Sequence, residues 1–199
     1  GFLDLWSDRR LCRHLHLPLQ SGCESTLRRM GRRYTAAVFA QLVSQARAAI
    51  PGVAITTDMI AGLPGETEAE FAESLAFARG QGFARIHVFK FSPRRGTRAA
   101  TMPDQVPEQV KEARSQALAA LSAEGSRAFR KAFVGEKVDV LLEERVETGE
   151  PGSRGEWTGL TDNYIRVVMQ SDGDMENRVT SVRLTGLAGE DMTGQHVNA

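Results

Sequence analysis

The chain has 199 residues, 41% hydrophobic and 25% charged, with 25 basic and 25 acidic side chains and no formal net charge. That is enough chain for one or two packed cores. No apolar run is long enough to cross a bilayer and no signal peptide is evident, so a soluble cytoplasmic protein without a membrane partner is expected. The zero balance hides an asymmetry: residues 1–134 carry 19 basic and 12 acidic groups, about +7, and residues 135–199 carry 6 and 13, about −7. The two cysteines, Cys12 and Cys23, have a spacing that fits neither an iron–sulfur nor a zinc pattern, and they read as small apolar thiols in a reducing cytosol.

In chain order, a helix end over Phe2–Trp6 leads into His14-Leu-His-Leu-Pro-Leu-Gln-Ser-Gly22, an alternating strand that breaks at Pro18, Gln20, Ser21 and Gly22. A short helix, Glu24 to Gly31, follows. Ala36 to Ala49 places Val38, Phe39, Leu42, Val43 and Ala46 at three- and four-residue spacing and reads as an amphipathic helix. The next segment, Ala54-Ile-Thr-Thr-Asp-Met-Ile-Ala-Gly-Leu-Pro-Gly-Glu-Thr67, is the most informative. An apolar β-branched run breaks at Gly62-Leu-Pro-Gly65 and opens an acidic helix capped by Glu66 or Thr67, the kind of strand-to-helix turn at which α/β proteins bind ligands. Gly62 and Gly65 permit positive φ and close approach. A helix over Glu68–Gly80 leads to a third strand, Arg85-Ile-His-Val-Phe-Lys-Phe-Ser-Pro-Arg-Arg-Gly-Thr97, which again ends in a polar turn. Strand and helix alternate throughout, which implies a parallel sheet with its functional edge at the strands' C-terminal ends. Gln20, Ser21, Asp58 and Ser92 then converge on one mouth.

An amphipathic helix over Pro107–Phe133 closes this part, and a boundary is expected near Val134-Gly135. Beyond it, Lys137–Val146, Trp157–Gln170 and Arg178–Leu187 alternate or run apolar with β-branched content, separated by turns rich in Gly, Asp and Glu. This predicts a small all-β module of about sixty residues.

His14 and His16 form an H-x-H pair. Such residues lie on one face of a strand and could share a metal. Supporting ligands are thin, only His87, His196 and Asp58, so buried strand histidines are expected and no metal site is assigned.

HLHLPLQSG, RRMGRRYT, TTDMIAGLPGET and RIHVFKFSPRRGT, in this order and spacing, closely resemble the last three strands of the radical S-adenosylmethionine methylthiotransferases. These enzymes insert sulfur and a methyl group into a C–H bond of a tRNA base or a ribosomal protein. Leu11-Cys-Arg-His-Leu-His16, His87-Val-Phe89 and Thr158-Gly-Leu-Thr-Asp-Asn-Tyr-Ile-Arg-Val-Val168 resemble the branch acting on N6-threonylcarbamoyladenosine beside the tRNA anticodon. The resemblance implies an α/β fold. Residues 1–134 would be three β/α units, the C-terminal part of an open, TIM-like radical barrel, and 135–199 a TRAM-like, OB-like RNA-binding barrel. It also implies S-adenosylmethionine and 4Fe-4S clusters as cofactors. Family members hold the clusters on three N-terminal cysteines and a CxxxCxxC loop that this chain does not contain. The expectation is therefore a C-terminal half whose partner is the missing N-terminal half, inactive alone.

The cofactor-binding set implied is Gln20, Ser21, Arg32, Asp58, Ile60, Gly62, Gly65, Glu66 and Ser92, with Arg32 for the carboxylate and the Gly62–Glu66 turn for the adenine edge. The RNA-binding set is Lys90, Arg94, Arg95, Trp157, Tyr164 and Arg166, for phosphates and stacked anticodon-loop bases. Lys90 and Arg95 stand where the family usually has proline. The acidity of 135–199 speaks for a basic protein substrate instead. Isopentenyladenosine tRNA, a ribosomal-protein aspartate, and a non-catalytic RNA-binding module are the alternatives.

Overall fold

The structure, a computed structural model, describes residues 1–146 and 155–197. By their own contacts these fall into two compact units, Leu15–Ser126, and Gly1–His14 together with Arg127–Ala199. The change of unit comes inside a helix, ahead of the 134/135 position that composition suggests, and the first fourteen residues group with the C-terminal barrel.

The first unit is built on three strands, β1 (His14–His16), β2 (Ala54–Ala61) and β3 (Arg85–Lys90), in the order β1-β2-β3. β2 and β3 are parallel. The chain beyond β1 continues along β2: Leu17 N–H donates to Thr56 O, Gln20 N–H to Asp58 O, and Ile60 N–H to Gln20 O. Thr57 reinforces this seam, its buried Oγ1 donating to Leu17 O at 2.6 Å and accepting from Leu19 N–H at 2.9 Å.

Three helices follow the strands. α1 (Glu24–Arg29) is short; α2 (Ala36–Ala49) starts where Thr35 accepts a bond from Val38 N–H and buries Ala36, Phe39, Val43 and Ala46. α3 (Glu68–Gln81) opens with a reciprocal capping box between Thr67 and Glu70 and stops at Gly82, which is left-handed. Thr67, and not Glu66, is therefore the cap. A fourth helix, α4 (Glu108–Lys131), runs from this unit into the next. Right-handed crossovers put connecting helices on one side of a parallel sheet. Accordingly Ile55, Thr57, Met59 and Ala61 are buried, while Asp58 and Ile60, on the opposite face, are only partly so.

The second unit is a closed barrel of β4 (Lys137–Val146), β5 (Gly155–Thr161), β6 (Arg166–Ser171), β7 (Arg178–Ala188) and β8 (Asp191–His196), in the order β4-β5-β6-β8-β7. All pairs are antiparallel except β6 with β8. This is a five-stranded OB-type arrangement. Inward residues of alternating strands supply the core: Val140, Leu142, Trp157, Val167, Met169, Val182, Leu184 and Met192, with Phe129 and Phe133 packed against it. At Gly194 a Cβ would lie 2.3 Å from Val182 Cγ1, so only glycine fits there.

The run expected over 157–170 is two strands divided by a turn, and β8 goes beyond what alternation predicted. Its sequence, Asp-Met-Thr-Gly-Gln-His, has a single large apolar residue, and its pairing with β7 and β6 makes it a strand. The turn expected between Val146 and Trp157 falls largely on 147–154, outside the described residues.

Candidate functional site

The C-terminal ends of β1 and β2 carry most of the expected cofactor set. Gln20 sits in the left-handed region at φ 69, bridged to Met59. It is 8% exposed, and its side-chain amide has no hydrogen-bond partner among the described residues. Its amide atoms are not among the buried polar atoms left without a partner, so the amide is solvent-accessible at the strand end. Ser21 turns elsewhere: its Oγ lies 3.3 Å from Ser74 Oγ of α3 and accepts from Cys23 N–H. Arg32 is exposed and has no ion pair among the described residues. Its position is marked by Tyr34, whose hydroxyl donates to Leu19 O at 2.8 Å. Burial raises the Tyr34 phenol's pKa, and the charge of Arg32 opposes that rise.

The Gly62–Glu66 turn is held from within. Glu66 Oε2 accepts from Gly62 N–H at 2.8 Å and from Arg114 Nη1 at 2.9 Å, and Arg114 also donates to Glu66 O. Burial raises the Glu66 pKa, against the Gly62 hydrogen bond and the Arg114 charge, which lower it. Gly62 has φ 79, and a Cβ there would lie 2.4 Å from Lys111 Cγ. Its glycine requirement thus comes from the chain's own packing. Gly65 is also left-handed, its N–H donating to Asp104 O. The side chain of Glu66 is committed to this clamp, which leaves backbone groups of the turn for a ligand.

At the third strand, Ser92, Arg94 and Arg95 are exposed. The two arginines have no ion pair among the described residues. Lys90 lies 3.0 Å from both Glu108 and Glu112 of α4. These bonds raise its pKa, and they occupy the ammonium expected to meet phosphate.

The sheet face opposite the helices carries a set that sequence reading dealt with only one residue at a time. His16 Nε2 lies 3.3 Å from Asp58 Oδ2, and its Nδ1 lies 3.0 Å from Thr56 Oγ1. The His87 ring meets His16 edge to face at 5.7 Å. Asp58 and His87 are direct register partners, as are Ile60 and Phe89. The H-x-H pair is divided: His14 stacks on Tyr164 at 4.8 Å instead. No group of three or more His, Cys, Asp or Glu among the described residues is arranged to hold a metal. Cys12 is exposed, and Cys23 donates its thiol proton to Glu73.

In the barrel unit, Thr161-Asp-Asn-Tyr-Ile165 is the β5–β6 turn. Thr161 Oγ1 donates to Asn163 Oδ1 at 2.6 Å and accepts from Ile165 N–H at 2.9 Å, with Thr161 and Asn163 both buried. Asp162 forms a two-pronged pair with Arg13 at 2.6 and 2.7 Å, which raises the arginine's pKa. Tyr164 is 57% exposed at φ 63, an uncommon conformation for an aromatic residue. Arg166 is exposed on one side and 3.9 Å from Asp191 on the other. Trp157, expected to stack on a base, is a correction: it is 4% exposed inside the barrel core and offers no ring face to solvent.

Comparison with known proteins places this geometry. Residues 2–78 match the radical SAM superfamily model. Threonylcarbamoyladenosine tRNA methylthiotransferase MtaB of Bacillus subtilis is 39% identical over 88% of this chain and 38% of its own length. The tRNA-2-methylthio-N(6)-dimethylallyladenosine synthase of Moorella thermoacetica is also 39% identical, over 88% of this chain and 39% of that protein. Ribosomal protein uS12 methylthiotransferase RimO of an Anaeromyxobacter strain is 35% identical over 94% of this chain and 40% of its own. Among solved structures, the radical SAM enzyme coproporphyrinogen III oxidase (HemN) of Escherichia coli matches with a TM-score of 0.51 at 16% identity, over 80% of this chain and 44% of that one, a likeness of fold alone. Residues 2–78 thus carry radical SAM superfamily sequence, and most of the chain is similar to the methylthiotransferases named above. The chain spans about two fifths of the length of these relatives.

Proposed function

We propose that this chain is the cofactor-positioning and RNA-gripping part of a cytoplasmic methylthiotransferase acting on N6-threonylcarbamoyladenosine next to a tRNA anticodon. In this reading residues 15–126 are β/α units of an open radical barrel and residues 135–199 a TRAM-like domain. The observation that carries it is the unpartnered Gln20 amide at a strand end, within the segment matched by the radical SAM model. Gln20, the backbone of Gly62–Glu66 and Arg32, which has no ion pair among the described residues, are the groups that would hold S-adenosylmethionine. When bound, that cofactor supplies the radical that breaks a C–H bond and the methyl group. This chain's residues orient it: Arg32 meets its carboxylate with a charge-assisted bond. A 4Fe-4S cluster does not fit the residues described, because Cys12 and Cys23 lie in different surroundings and no metal-holding group is present. Its ligands belong to the rest of the enzyme.

Tyr164 and Arg166 are the proposed base-stacking and clamping pair, and Arg94 and Arg95 the phosphate contacts. Charge no longer favours a protein substrate strongly. Counted by compact unit, Leu15–Ser126 has 13 basic and 10 acidic residues, and the barrel unit 12 and 15, about +3 and −3.

The test is a pair of titrations at fixed salt, S-adenosylmethionine and an anticodon stem-loop. Arg32→Ala should weaken the cofactor by about 1.5–3 kcal/mol and leave RNA affinity unchanged. Tyr164→Ala with Arg166→Ala should do the reverse. Normal RNA binding by the double variant would remove the barrel from the RNA site.

A further inference from the structure

We propose that the sheet face opposite the helices reads the polar substituent on N6 of the target base, with His87 as donor to its carboxylate and Asp58 as acceptor for its hydroxyl or N–H. This rests on the tRNA reading above and extends it to the residues that choose between substrates. Two relatives of equal identity are named for bases that differ at this position, one threonylcarbamoyl and one dimethylallyl. The first substituent carries a carboxylate and a hydroxyl on a ureido link; the second is hydrocarbon.

The face is graded to match the first. Ile60 and Phe89 are opposite one another nearest the strands' C-terminal ends, and Phe89 is 53% exposed, an apolar seat for the flat base. One step back on the same face, Asp58 is opposite His87, and one step further Thr56 is opposite Arg85. Both nitrogens of His16 are engaged, by Asp58 and Thr56, so His16 is a positioning residue that holds Asp58 Oδ2. The His87 ring nitrogens and Asp58 Oδ1 have no hydrogen-bond partner among the described residues. Arg85 is exposed and has no ion pair among them either, so the face presents one carboxylate against an arginine and two imidazoles. A dimethylallyl group here would strand His87 and Asp58 Oδ1 without partners, and a site built for hydrogen bonds rejects an analogue that lacks them.

The experiment titrates the full chain with free N6-threonylcarbamoyladenosine and with N6-dimethylallyladenosine, following the ring proton resonances of its four histidines by NMR. The His87 and His16 signals should shift and saturate with the threonylcarbamoyl nucleoside, which should bind about tenfold more tightly than the dimethylallyl one. His87→Gln, which keeps a donor, should preserve the preference, and His87→Phe should abolish it. Equal binding of both nucleosides, no movement of the His87 signal, or a preference that survives His87→Phe overturns the proposal. A stem-loop titration separates this from the parent reading: a chain that reads the nucleosides as expected but binds no anticodon stem-loop refutes the tRNA grip and leaves the face's selectivity standing.

Discussion

Glu66 has a side chain only 1% exposed and, among the described residues, one ionic partner, Arg114. Because its folded-state pKa is raised above the ordinary 4.5, the folded chain keeps a proton that the unfolded chain has lost in the window just above that value. The resulting stability is fully present below the ordinary value and is lost as pH rises through the folded pKa. Glu66→Gln should therefore flatten the dependence of urea midpoint on pH in the range just above 4.5. An unchanged slope in the variant would place the titration elsewhere. Arg114→Met leaves a buried carboxylate uncompensated and should cost about 3 kcal/mol in the same assay. A loss under ~1 kcal/mol would show the carboxylate finding another partner or water. Neither residue's commitment was legible in sequence, since the partners are 48 positions apart. The Gly-Leu-Pro-Gly turn itself was legible, from local steric rules alone.

At the scale of elements, the Thr-Asp-Asn-Tyr run, which in sequence resembles the threonylcarbamoyladenosine branch, is a hydrogen-bonded hairpin turn with an exposed ring at its tip. Tyr164 stays at positive φ although that conformation costs an aromatic residue energy, offset in part by the ring contact with His14. Tyr164→Gly removes both terms, so stability should change by less than about 1 kcal/mol. RNA affinity, in contrast, should fall about tenfold for the lost stacking surface. Thermal unfolding and stem-loop titration of one variant check both, and a large stability loss with intact RNA binding would make Tyr164 a structural residue. Alternation revealed β4 and β7, because their inward residues are large and apolar. It merged β5 with β6 and passed over β8, since a turn of buried polar residues and a glycine-bearing strand have no periodic signal. Trp157 was misread for a related reason: an aromatic residue in a barrel strand has the same sequence signature facing in or out.

At the scale of the molecule, charge and its pairing separate the arginines proposed as RNA contacts from residues already engaged. Arg94 and Arg95 are unpaired among the described residues, whereas Lys90 is held by two glutamates. Arg94→Ala with Arg95→Ala should reduce the slope of log affinity against log salt by about two, roughly one per lost phosphate contact, and Lys90→Ala should leave it nearly unaltered. A slope that falls with Lys90 and holds with the arginines would reverse the assignment. The alternating α/β order and the β module were readable from composition and periodicity. The attachment of residues 1–14 to the barrel unit was not, because it depends on Arg13 meeting Asp162, 149 positions away.

The most direct measurement of the central claim is mass spectrometry of tRNA nucleosides from the source cells with and without the gene encoding this chain. The account predicts loss of 2-methylthio-N6-threonylcarbamoyladenosine with accumulation of its precursor N6-threonylcarbamoyladenosine, while any 2-methylthio-N6-dimethylallyladenosine persists. Unchanged 2-methylthio-N6-threonylcarbamoyladenosine, or loss of the dimethylallyl product in its place, would contradict it.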